Sequence, residues 1–126
     1  MSSDGLLMRS VTLTPSRTTL RKTIRWSVDA ERDLDAIADE ITENDSLERA
    51  KHVIDKILDA AGSLTTLPDK GNYPKELETF GNREYRQIFF KPYRLIYQVA
   101  GKYVTVMLVA DGRRDMPTLL AMRLLG

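Results

Sequence analysis

Apolar positions follow two different periods along the chain. Ala30, Leu34, Ile37 and Ile41 recur at four, three and four residues, which places them on one face of a helix. Ser27 or Asp29 is positioned to cap that helix, and Asp33 with nearby acids suits its first turns. The "ENDS" stretch from Glu43 to Ser46 ends it and caps the next. Leu47, Ala50, Ile54, Ile57, Leu58, Ala61 and Leu64 then keep helical spacing until Pro68. Two amphipathic helices joined by so short a turn form an αα-hairpin.

The period then changes. "TIRW" (Thr23–Trp26) ahead of the hairpin is a short strand pattern, rich in β-branched and aromatic residues. After the Pro-, Gly- and Asn-punctuated loop Leu67–Leu77, "REYRQIFF", "YRLIYQV" and "KYVTVMLVA" read as three further strands. Lys91-Pro92 separates the first two, and Ala100-Gly101 marks a tight turn before the third. A final helix runs from about Pro117 to Leu125, with proline in its first turn. The order β-α-α-β-β-β-α predicts an α+β fold: an N-terminal strand, an αα-hairpin, then a small, mainly antiparallel, twisted sheet with helices on one face and a C-terminal helix. No repeat or second domain is visible.

Alternation within the strands sorts their side chains. Tyr93, Leu95, Tyr97 and Val99 form the more apolar set and are expected against the helices. Arg94, Ile96 and Gln98 then project from an open face. Arg86, Ile88 and Phe90 share a face, which pairing is expected to make the same open one. Arg113 and Arg114 follow Gly112, a glycine suited to a positive-φ turn. Arg86, Arg94 and one of Arg113 and Arg114 could thus converge on an anion, since guanidinium groups bind phosphate or carboxylate bidentately. The competing reading pairs Arg94 with a local acid such as Glu84 or Asp115 and leaves the corner as a solvated turn.

Composition narrows the classes. The chain has 126 residues, 42% hydrophobic and 29% charged, as expected of one globular domain. Cysteine is absent, which removes disulfides, thiol nucleophiles and cysteine-zinc sites and suits a reducing cytoplasm. No apolar run approaches the ~20 residues of a membrane helix. No metal or cofactor set is legible. The net charge of +1 hides a bipolar chain. Residues 1–26 carry five basic groups against one acid, residues 27–66 four against eleven, and residues 67–126 ten against six. The basic C-terminal half could meet nucleic acid or an acidic protein. Residues 1–22 lack a period and are nearly acid-free, so a flexible tail is expected, with a transit segment or a start at Met8 as alternatives. A secretory signal is not expected there.

From about Thr23 to Leu125, the element order, "YRLIYQV" and the "DGRRDM" corner together resemble the RelE/ParE superfamily of bacterial toxins, the stable partners in type II toxin–antitoxin modules. The resemblance implies residues 23–126 as the toxin domain, a cytoplasmic location and a cognate antitoxin forming a hetero-oligomer with it. RelE-like members cut mRNA on the ribosome, ParE-like members poison DNA gyrase, and some members are inert.

In the mRNA cutters, basic side chains stabilise charge on the phosphoryl oxygens while protons leave the 2′-hydroxyl and reach the leaving oxygen. Carried over by resemblance, Arg86 stands at the first catalytic lysine, Ile88 near the second, Arg94 at the strand arginine and Arg114 at the corner arginine. The tyrosine position is Leu120, which transfers no proton. His52 lies off the apolar stripe of the second helix and offers no substitute. Tyr93, Tyr97 and Tyr103 suit sheet packing. The catalytic set is thus incomplete, and the corner and leucine-rich end resemble ParE-like members more closely. The expectation is a gyrase inhibitor, associated with plasmid stabilization and growth inhibition, that uses Arg86, Arg94, Arg113 and Arg114 toward an anionic target. A ribosome-dependent mRNA endonuclease and a degenerate, antitoxin-binding protein are the alternatives. The C-terminal helix is too apolar to face water all round, so Leu119, Leu120, Met122 and Leu124 are expected to meet the antitoxin.

Overall fold

The computed structural model describes residues 21–125. Apart from Arg21 and Lys22, the expected tail lies outside the described residues. Strand β1 (Thr23–Trp26) leads through the Ser27 cap into α1 (Val28–Asn44). The Ser27 hydroxyl accepts from the Ala30 N–H at 3.0 Å. Ser46 caps α2 (Leu47–Gly62) in the same way through Arg49 N–H. These two caps satisfy N-terminal donors that would otherwise be orphaned, so the hairpin begins and turns where its serines stand. A single 3₁₀ turn (Ser63–Thr65) closes α2.

The buried stripe of α2 is Ala50, Val53, Ile57 and Ala61. It is rotated from the expected one: Leu47 is 58% exposed and Leu58 is also exposed, while Val53 turns inward. A four-residue helix, α3 (Lys75–Glu78), interrupts the long loop and was not legible as a helix. Strands β2 (Arg86–Phe90), β3 (Tyr93–Ala100) and β4 (Tyr103–Asp111) follow, then α4 (Met116–Leu120), whose last turn opens into a π-helical turn (Ala121–Leu125).

The sheet order is β1-β4-β3-β2. β1 runs parallel to β4, and the remaining pairs are antiparallel. Gly101 turns β3 into β4 with φ 59°, a conformation that favours glycine. β4 carries a bulge: Ile96 faces Leu108, yet Tyr97 faces Val106, so Met107 is the extra residue. Because side chains alternate, the bulge puts Val104 and Val106 on one face but Leu108 and Ala110 on the other.

Both faces of the sheet are covered. Leu95, Tyr97, Val104, Val106 and Val109 pack with Ala30, Ile37, Val53 and Ile57 of the hairpin. On the other side Ile96, Leu108 and Ala110 pack with Leu77 of α3 and Met116 and Leu120 of α4. The face expected to be open is therefore a second core. Its cover exists because the C-terminal helix is apolar enough to need burial itself. Among the described residues no helix is long and apolar enough to cross a membrane.

Candidate functional site

Register decides where the arginines point. In β2, Arg86, Ile88 and Phe90 pair with Tyr97, Leu95 and Tyr93. They therefore lie on the αα-hairpin side, while Gln87 and Phe89 share the side of Arg94. The expected convergence of Arg86 with Arg94 is not formed. The cause is the short Lys91-Pro92 connection, which sets direct opposition of Phe90 with Tyr93. One residue of register turns every side chain to the other face.

Arg86 instead binds the loop before α3. Its guanidinium donates to Gly71 O at 2.8 Å and to Tyr73 Oη at 3.0 Å, and sits 4.5 Å from the centre of the Tyr73 ring. Arg94 is 8% exposed. Its Nη1 and Nη2 donate to Glu76 Oε2 and Oε1 at 2.8 and 2.9 Å, a bidentate pair. Its Nε donates to Gln87 Oε1 at 2.9 Å, and its Nη2 also donates to Gln87 Oε1. The Glu76 carboxyl is held below its ordinary pKa, first by the Arg94 hydrogen bonds, with burial opposing. Arg94 thus has an acid partner, but neither Glu84 nor Asp115: it is a residue of α3 supplied across the second core.

Gly112 is not among the described positive-φ glycines. Its requirement is proximity. A Cβ there would come within 3.0 Å of Arg94 Cδ, so the corner lies directly on the arginine stem. Beyond it, Arg113 Nε donates to Asp111 Oδ1 at 2.9 Å and Nη2 to Oδ2 at 2.5 Å, which lowers the Asp111 pKa. Arg114 is exposed and makes no ion pair among the described residues.

These elements border a cleft of about 540 Å³, lined by Asn72, Tyr73, Lys75, Gln87, Phe89 and Lys91 around the Arg94–Glu76 pair. Glu76 and Gln87 were missed in the sequence. Glu76 lies in a polar loop with no period, but a glutamine within an apolar strand is a readable signal. Leu120, which the resemblance set at the position of a proton-transferring tyrosine, is fully buried in the second core. Leu119 and Leu124 pack on that core, whereas Met122 is 73% exposed. Of the four leucine and methionine positions expected at an antitoxin surface, Met122 is the one left open. No cluster of metal-ligating side chains occurs among the described residues.

Residues 24–116 match the family model for the ParE toxin of type II toxin–antitoxin systems, parDE. The fold is shared with a structure of the chromosomal ParDE toxin–antitoxin system from P. aeruginosa, with TM-score 0.62 and 19% identity, covering 73% of this chain and 97% of that one. It is also shared with the toxin–antitoxin complex RelBE2 from Mycobacterium tuberculosis, with TM-score 0.52 and 17% identity, covering 72% and 91%. No curated protein sequence matches significantly.

Proposed function

The chain belongs to the ParE toxin family of type II toxin–antitoxin systems, and from that premise we propose that it arrests replication in the cytoplasm by binding and inhibiting DNA gyrase. The observation that carries this reading is the state of Arg94. A phosphoryl-stabilising arginine must present its donors to the substrate. Here the donors are taken by Glu76 and Gln87. Arg86 faces away, and the position that would move a proton is a buried leucine. A protein that works by binding needs none of these. Target contact then falls to the exposed corner, Arg113 and Arg114, while Arg86 and Arg94 hold the scaffold.

A cognate antitoxin is the second partner. Met122 and neighbouring Leu125 are exposed apolar side chains on the last turn, and the antitoxin covers them in the hetero-oligomer.

Pulse labelling of DNA and protein synthesis, after induction of this chain without antitoxin, tests the reading. DNA synthesis is expected to fall first, with gyrase–DNA cleavage complexes accumulating. Protein synthesis falling first, with mRNA cut in phase with codons, would overturn it in favour of a RelE-like nuclease. Arrest of neither would leave an antitoxin-binding protein without toxicity.

A further inference from the structure

The side-chain amide of Gln87 is only half used. Gln87 is 6% exposed, on the same sheet face as Arg94. Arg94 carries donors and no acceptor, so it fixes which end of the amide faces it: the carbonyl oxygen accepts from Nε and Nη2. The amide NH₂ group must then point away from the arginine. Among the described residues it has no acceptor. A buried donor left unsatisfied is destabilising, so such a group marks a place that favours an acceptor.

The charges around the cleft identify the acceptor. Glu76 is neutralised by Arg94 at 2.8 Å and Glu78 by Arg83 at 3.1 Å. Lys75 and Lys91 line the same cleft and form no ion pair among the described residues. The uncompensated charge is therefore positive and comes from two lysine ammonium groups. Beside them Phe89, on the outer strand β2, is 55% exposed and offers an apolar face. The volume of about 540 Å³ lies within the range of small-molecule sites.

We propose that this cleft is an oxyanion site, in which a phosphate or carboxylate group accepts from the Gln87 amide NH₂ and is flanked by Lys75 and Lys91, with the apolar part of its carrier against Phe89. Arg94 is a positioning residue here. It orients the glutamine and does not touch the ligand. Gly112 of the corner lines the site but Arg113 and Arg114 do not, and the site is independent of whether gyrase is the target.

Nitrogen-resolved NMR of the full chain reads the Gln87 side-chain NH₂ directly. Inorganic phosphate and acetate serve as probes, with sodium chloride at equal ionic strength as the control. Saturable movement of the Gln87 NH₂ signals by phosphate or acetate, but not by chloride, is expected. Tighter binding of phosphate assigns a phosphoryl ligand, and tighter binding of acetate a carboxylate. The double variant Lys75→Gln, Lys91→Gln alters exposed groups and leaves the fold in place. It is expected to weaken binding at least about tenfold, the scale of removing one hydrogen bond to a charged group. No saturable movement with either probe, or the same movement with chloride, would overturn the site. So would an affinity that the double variant leaves unchanged. A protein that fails to inhibit gyrase yet shows the saturable shift would refute the proposed function and retain this site.

Discussion

The Arg94 guanidinium and the Glu76 carboxylate meet side by side, Nη1 to Oε2 at 2.8 Å and Nη2 to Oε1 at 2.9 Å, across 18 residues of sequence. Both side chains are nearly withdrawn from water. The pair ties α3 to the start of β3 and lines the cleft. An arginine so engaged is part of the scaffold, and its removal is a test of stability before it is a test of toxicity.

Arg94→Ala is expected to destabilise the protein by about 3–5 kcal/mol, because it leaves the Glu76 carboxylate and the Gln87 carbonyl without their donors. Replacing both charges together, Arg94→Met with Glu76→Leu, is expected to recover much of that loss, since no buried charge is then left alone. Urea unfolding of the single and double variants measures the difference. Toxicity should follow stability: a double variant that folds as well as the parent but has lost toxicity would give Arg94 a direct role at the target.

The same pair makes stability depend on acid. The folded pKa of Glu76 lies below its ordinary value of 4.5, so the fold favours the ionised form. The resulting stabilisation is complete above about pH 4.5 and is lost as pH falls through the lowered folded value. Glu76→Gln should therefore melt below the parent at neutral pH, and the two melting temperatures should converge as the solution is acidified. Asp111 is shifted in the same direction by Arg113, so some acid sensitivity persists in the variant. Parallel melting curves at all pH values would exclude Glu76 as the titrating group.

The hairpin was legible because helical period and serine caps are local signals: Ser46 caps α2, and of the two candidates Ser27 and Asp29 it is Ser27 that caps α1. The strands were legible for the same reason. The faces of β2 were not. They depend on how Phe90 opposes Tyr93 across a two-residue connection, and alternation within one strand cannot supply that. The Met107 bulge, the four residues of α3 and the Glu76 partner of Arg94 are likewise set by tertiary packing. The site was thus half visible: Arg94 was found, but its occupant was not.

Tyr97 illustrates a buried polar group with a full set of partners. Its hydroxyl donates to Pro68 O at 2.7 Å and accepts from Gly71 N–H at 3.0 Å. Burial raises the phenol pKa, so it stays neutral. Tyr97→Phe should cost about 1–3 kcal/mol by stranding both backbone groups. Gly71→Ala should cost more, because its Cβ would lie 2.5 Å from Gln87 O and 2.6 Å from Tyr97 Oη. Thermal denaturation ranks the two, and the opposite order would be inconsistent with this packing.

Asp33 joins three elements at the bulge. Its carboxylate accepts from Val109 N–H at 3.0 Å and from Arg123 Nη2 at 2.6 Å, while Arg123 Nη1 donates to Met107 O at 3.2 Å. The C-terminal turn is therefore pinned to α1 through the irregular part of β4. Arg123→Ala should accelerate hydrogen exchange in the Ala121–Leu125 turn and at Val109, with little change in α2. Uniform acceleration over the whole chain would show global destabilisation in place of a local pin.

Leu120 connects packing with mechanism. It is fully buried against Ile96, Leu108 and Leu77, and a tyrosine there would have to enter a filled core or expel α4 from it. Leu120→Tyr should therefore destabilise the protein by about 1–3 kcal/mol through overpacking. It should not create RNA cleavage, because the new phenol would meet the second core while Arg94 remained occupied by Glu76. Unfolding by urea measures the first effect, and primer extension on translated mRNA after induction measures the second. Codon-phased cuts in the variant but not the parent would mean that the residue at position 120 alone separates binding from catalysis on this fold, and that the Arg94–Glu76 pair opens when RNA arrives.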